Sequence, residues 1–140
     1  AGVMRKVLDS WAMIAWIVDD PAAEQVETLL DRAESGKIEL MMSMITLGEV
    51  FHLLARRHGM EEAEQFLSDF HGMPIRTAIP TAHSIMEAAR LKGRYAISYA
   101  DAFAVEAARH HGASLVTGDS ELRALSKAKV VEIDWIGQGA

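Results

Sequence analysis

Four carboxylates stand where an acidic side chain has a chemical use: Asp9, Glu49, Asp101 and Asp119. Asp9 follows the apolar pair Val7 and Leu8 and precedes the apolar stretch Trp11 to Val18, so a residue ill suited to a strand lies between two segments that ask to be buried. Asp119 comes two residues after the strand-like run Ser114 to Thr117. Glu49 is expected in the first turn of a helix opening after the turn Ser43 to Thr46, and Asp101 in the first turn of a helix beginning near Ser98. Each has a plainer use. Thr46-x-x-Glu49 is a capping box, Ser98-x-x-Asp101 resembles one, Asp119 suits the N-cap of a helix over Ser120 to Leu125, and the helix dipole favours acids in a first turn. Capping does not explain why all four fall at one predicted edge. Carboxylates gathered there repel one another unless a cation or protons neutralise them. Mg²⁺ and Mn²⁺ take oxygen ligands from carboxylates, water and substrate phosphate. Such an ion can polarise a phosphodiester, generate hydroxide and stabilise the leaving oxygen, so phosphodiester hydrolysis is the reaction class.

The elements that must hold these residues are short strands alternating with helices. Strand candidates end at Leu8 and at Met42, and others cover Pro74 to Ile79, Ser114 to Thr117 and Val130 to Ile133. Apolar residues recur at helical spacing at Leu47, Val50, Phe51 and Leu54, at Ala63, Phe66, Leu67 and Phe70, and at Phe103, Ala104, Ala107 and Ala108. Gly59 and Gly112 stand where left-handed C-caps belong. The alternation predicts a three-layer α/β/α sandwich around a central, mostly parallel sheet. In such sheets ligands sit beyond the carboxyl ends of the strands, the edge at which the four acids are expected.

The 140 residues suit one domain, assigned to residues 4–136. Residues 1–3 read as a cloning remnant or an alternative start, and residues 137–140 as a tail. The sequence has no cysteine, which excludes disulfides, thiolate zinc sites and cysteine nucleophiles. Arg5 and Lys6 before an apolar run superficially suggest a signal peptide, but Asp9 and Ser10 interrupt it and the remainder is too short to span a membrane. A soluble, cytoplasmic protein with no membrane partner is expected. The net charge of −6 argues against holding nucleic acid by bulk electrostatics, so contact with it must be local.

Taken together, Val-Leu-Asp9-Ser10, Ile45-Thr46-Leu-Gly-Glu49-Val, Ser98-Tyr-Ala-Asp101-Ala-Phe-Ala and Leu115-Val-Thr-Gly-Asp119 resemble the PIN-domain ribonucleases, and among them the VapC toxins of bacterial toxin–antitoxin pairs. The resemblance runs from Met4 to about Ile133 and lies in the order and spacing of the four motifs. It implies a PIN-like α/β/α fold, endonucleolytic cleavage of RNA dependent on Mg²⁺ or Mn²⁺, homodimerisation, and inhibition by a cognate antitoxin. Under it, Asp9, Glu49, Asp101 and Asp119 are the catalytic metal ligands, with Ser10 and Thr117 in support. One departure concerns the position two after the first aspartate. Many relatives carry a small hydroxyl or amide residue there, whereas this chain has Trp11 and offers Ser10 one position earlier.

Other features carry less. The histidines form no HExxH motif, and His110 and His111, with Arg109, suit the C-terminal dipole of their helix. Trp11 is expected to pack, with stacking of a base as its alternative. For RNA contact, Arg90, Lys92 and Arg94 upstream of Asp101 are the first candidates, ahead of Arg56 and Arg57. A haloacid dehalogenase-type phosphatase would need an aspartate where Trp11 stands, and a receiver domain an acidic pair before its phosphorylated aspartate; Asp19 and Asp20 come too late. The remaining alternative is a catalytically silent PIN-like module that binds RNA or protein.

Overall fold

A computed structural model describes residues 2–137. Five strands, β1 (Met4–Leu8), β2 (Ile38–Ser43), β3 (Ile75–Ala78), β4 (Ser114–Thr117) and β5 (Ile133–Trp135), form one sheet in the order β3-β2-β1-β4-β5. Every pairing is parallel. The connections carry α1 (Ser10–Ile17) and α2 (Ala23–Glu34), then α3 (Met44–His58) and α4 (Met60–Phe70), then α5 (Ala82–Arg94) and α6 (Tyr99–His110), and finally one 3₁₀ turn (Ser120–Leu122) and α7 (Arg123–Lys127).

Alternation along the strands divides the interior in two. Leu8, Leu40, Met42 and Val116 face a core closed by Met13, Val26, Leu30, Leu47 and Val50 of α1, α2 and α3. Val7, Met41 and Leu115 face the other, closed by Ala88 and Leu91 of α5, Phe103 and Val105 of α6, and Leu125 of α7. The carboxyl-terminal halves of the central strands, Val7 and Leu8 in β1, Leu40 to Met42 in β2 and Leu115 and Val116 in β4, are buried on both faces and apolar, as a parallel sheet requires, while Arg5, Lys6 and Glu39 lie toward the other end. The expected α/β/α sandwich is therefore the observed architecture.

Local details depart from expectation. α3 opens earlier than its periodicity suggested: Ser43, the last residue of β2, is its N-cap, its Oγ accepting from the Ile45 amide at 3.2 Å. The capping-box assignment to Thr46 and Glu49 is thus incorrect, and Glu49 lies in the second turn. The last strand is Ile133–Trp135 rather than Val130 to Ile133. A turn through Lys129, at φ 59°, intervenes, and Val131 is buried in a bend. Gly112 has the left-handed φ of 61° expected after α6. Gly59 instead combines φ 99° with ψ 157°, extended rather than helical, because α4 starts at the next residue and this one position ends one helix and begins another. No helix among the described residues is long and apolar enough to cross a membrane.

Candidate metal centre

Strand order places the site. The chain moves from β1 outward to β2 and β3, returns to the other side of β1 as β4, and continues outward to β5. The carboxyl ends of β1 and β4 therefore flank the point at which the winding reverses, where parallel sheets open a crevice. The two ends are tied there by the Asp9 amide, which donates to the Val116 carbonyl at 3.3 Å.

Asp9 is 1% exposed. Its Oδ1 caps α1 by accepting from the Ala12 amide at 2.9 Å, while its Oδ2 is buried without a hydrogen-bond partner. Burial pushes its pKa up to about 7; the Thr117 hydroxyl and the Ala12 amide pull the other way, and the charges of Asp101 and Asp119 raise it further. The hydroxyl thus acts on Asp9 as a nearby dipole, not as a well-formed partner for Oδ2.

Asp101 lies in the first turn of α6, its amide donating to the N-cap oxygen of Ser98 at 3.0 Å. Its carboxylate is left for other work. Burial and then the Asp119 charge raise its pKa to about 6, against the Ser98 hydrogen bond, with smaller upward contributions from Glu49 and Glu121. Asp119 sits beyond β4, where its amide donates to Thr117 Oγ1 at 3.0 Å and its Oδ1 accepts from the Glu121 amide at 2.9 Å. Thr117 is fully buried and holds the Asp119 amide.

Asp101, Asp119 and Glu121 each offer an oxygen, and the three lie within 4.8 Å of one another. Like charges this close are costly without a counterion, and a hard divalent cation matches both the donor type and the spacing. The orphaned Oδ2 of Asp9 fits the same need, since a buried carboxylate oxygen is seldom left without a partner. All four acids expected from the sequence act on one another electrostatically, Glu49 through Asp101. Glu121 was not foreseen: at the start of a 3₁₀ turn it has the pattern of a solvated first-turn acid, and only the approach of Asp101 from another element gives it a different meaning.

Ser10, half-buried, and Trp11 line a cleft with Asp119. Trp11 also packs, as expected: its indole fills the space above Gly118, lies beside Gly137 and rests against the core. Of the basic candidates, Arg90 pairs with Glu87 at 2.7 Å and Lys92 donates to the Ile97 carbonyl at 2.9 Å. Arg90 and Arg94 line a separate cleft with Tyr95 and Arg109.

Fold and site together define a doubly covered parallel α/β domain with a carboxylate centre at its switch point. More specifically, the PIN domain family model matches residues 6–128, and the chain belongs to the PIN-domain family. Solved structures with the same fold include VapBC2 from Rickettsia felis bound to a DNA fragment from its promoter, at 16% identity and TM-score 0.74, covering 94% of this chain and 98% of that one. DNA-bound VapBC from Salmonella typhimurium has 14% identity and TM-score 0.70, with 95% and 98% covered. VapC20 from Mycobacterium tuberculosis, a toxin that cleaves the sarcin–ricin loop, has 22% identity and TM-score 0.66, with 85% and 93% covered. No curated protein matches the sequence.

Proposed function

We propose that this chain is an endoribonuclease dependent on Mg²⁺ or Mn²⁺ and the toxin of a toxin–antitoxin pair. The observation that carries the reading is the meeting of Asp101, Asp119 and Glu121 oxygens within 4.8 Å, with the charges of Asp101 and Asp119 acting on the buried Asp9, whose Oδ2 has no hydrogen-bond partner. Asp9, Glu49, Asp101 and Asp119 would hold the ion, with Glu121 offering a further oxygen beside Asp101 and Asp119. When bound, the ion supplies charge stabilisation and a more acidic water for attack on a phosphodiester. The residues of the chain prepare for it. Burial of Asp9 and Asp101 keeps bulk water from screening the centre, while the Thr117 hydroxyl and the Ser98 cap fix the segments that carry Asp119 and Asp101. Ser10 stands at the mouth of the cleft beside Asp119, placed to orient substrate or solvent.

The partners follow from the same reading: RNA as substrate in the cytoplasm, a cognate antitoxin, and a second copy of the chain. Neighbours solved as VapBC complexes support the antitoxin. Exposed Met44, Ile45, Ile79, Ile85 and Met86 support self-association, since Met44 and Ile45 follow β2 and Ile79 follows the adjacent β3, gathering apolar surface at one side of the sheet.

The test is incubation with total RNA and Mn²⁺ or Mg²⁺, followed by mapping of new ends. Discrete metal-dependent cuts, abolished by chelator, are expected. RNA binding with no cleavage under any divalent ion would instead make the chain a silent PIN module.

A further inference from the structure

The cleft that reaches the acidic centre has a second charged wall. About 360 Å³ in volume, it is lined by Ser10, Trp11, Ile14 and Leu53, with Asp119 among them and Arg57 also on its wall. Arg57 lies in the last turn of α3, exposed, and makes no ion pair or side-chain hydrogen bond among the described residues. Arg5 and Arg76 are engaged on Glu39, Lys6 on Asp134 and Arg90 on Glu87; other cations, such as Arg56 and Arg94, are also without an ion pair among the described residues, but Arg57 is the one that lines this cleft. Asp20, the other acid of this cleft, turns an oxygen onto the Ala22 amide at 2.9 Å. The cleft thus offers an uncommitted guanidinium, apolar surface from Trp11, Ile14 and Leu53, and an end at a metal-binding carboxylate.

We infer that Arg57 is a positioning residue that grips a backbone phosphate of single-stranded RNA next to the bond being cut. The inference rests on the nuclease reading. A chain of net charge −6 cannot hold RNA by its general field, so a local cation must oppose the repulsion that a phosphate meets near Asp119 and Asp101. Guanidinium suits that task because its fork can bond two phosphate oxygens at once. The apolar wall is surface of the kind on which unpaired bases rest. Charge complementarity favours RNA here over an apolar protein segment, which would leave the guanidinium unpaired.

The test is RNA affinity as a function of salt. In an Asp101→Asn background that prevents cutting, binding of a labelled oligouridine in Mg²⁺ is measured at several KCl concentrations, with Arg57 intact, Arg57→Ala and Arg57→Lys. One lost phosphate contact should make the log Kd against log salt slope shallower by about 0.7 in Arg57→Ala. Arg57→Lys should keep the slope and bind more weakly than arginine. In the cutting-competent chain, Arg57→Ala should raise KM more than it lowers kcat, and its melting temperature should stay at the parent value, as befits an exposed side chain. An unchanged slope in Arg57→Ala, with cleavage and binding by the parent intact, overturns the role of Arg57 and leaves the nuclease standing. A parent chain that neither cuts total RNA nor binds the probe overturns both.

Discussion

A Cβ atom added to Gly118 would fall 2.3 Å from Cη2 of Trp11. The indole occupies the room a side chain at 118 would need, one residue ahead of Asp119. Gly118 is therefore required by packing, and its φ is not in the left-handed region. Gly118→Ala is expected to cost about 1–3 kcal/mol, the usual penalty of overpacking, and to shift Asp119 enough to weaken the metal site. Adding Trp11→Leu should recover most of the loss, a coupling that urea denaturation of the single and double variants would reveal. Equal stability of Gly118→Ala and the parent would mean that the indole is not held there.

Caps and metal ligands are separable by the sign of their effect. Ser98→Ala, which removes the N-cap of α6, should cost about 1 kcal/mol and leave the response to Mn²⁺ intact. Asp101→Asn, which relieves repulsion from Asp119, should be as stable as the parent or more so without metal. The parent should gain about 2.7 kcal/mol at Mn²⁺ a hundredfold above its dissociation constant, and Asp101→Asn should lose most of that gain. Melting temperatures with and without Mn²⁺ decide: a lower metal-free value for Asp101→Asn with an undiminished Mn²⁺ response would assign Asp101 to capping alone.

The metal-free protein should lose stability as pH rises. Asp9 and Asp101 have folded-state pKa values of about 7 and about 6, above the ordinary 3.8, so between pH 4 and 7 the folded chain binds more protons than the unfolded one. Their stabilising contribution is complete below the ordinary value and is lost as pH climbs through 6 and 7. Asp9→Asn should flatten the profile. Chemical denaturation in chelator from pH 4 to 8 checks the slope, and stability that rises across this window would contradict the buried, mutually repelling arrangement.

Glu121→Gln tests the acid that sequence alone did not single out. Its oxygen belongs to the group within 4.8 Å of Asp101 and Asp119, so the variant should bind Mn²⁺ more weakly by about tenfold to a hundredfold, with little change in metal-free stability because its side chain is exposed. Titration calorimetry that finds parental affinity would place Glu121 outside the centre.

Asp9 stood out because it interrupts an apolar segment, whereas Asp101 and Asp119 read singly as helix-start acids and drew notice only through the order and spacing of the four motifs. Glu49 was found but seated one turn too early. Thr46-x-x-Glu49 has the form of a capping box, and nothing local tells that β2 continues to Ser43, which pairs with Ala78 and takes the cap. Glu121 was illegible for a different reason: its meaning comes from Asp101, on another element. β5 begins three residues later than expected because Val130 and Val131 have strand-like side chains, yet pack against the core from a bend. Helix α1 has no helical period to find, being apolar on nearly every side; the Asp9 cap is its main local signal. Helices α2 and α5 were not singled out either, their buried stripes being as thin as Val26, Leu29 and Leu30 in one, and Ala88 and Leu91 in the other.

The return of the chain to the far side of β1 as β4 has a consequence for synthesis. Asp9 emerges from the ribosome early, but Asp119 and Glu121 come after every helix except α7, and β4 must dock beside β1 before their oxygens approach Asp101. At about 5–20 residues per second, a growing chain spends seconds with β1 to β3 made and the centre still unassembled. Any fragment released before β4 lacks Asp119 and Glu121, so the acidic cluster forms late and all at once.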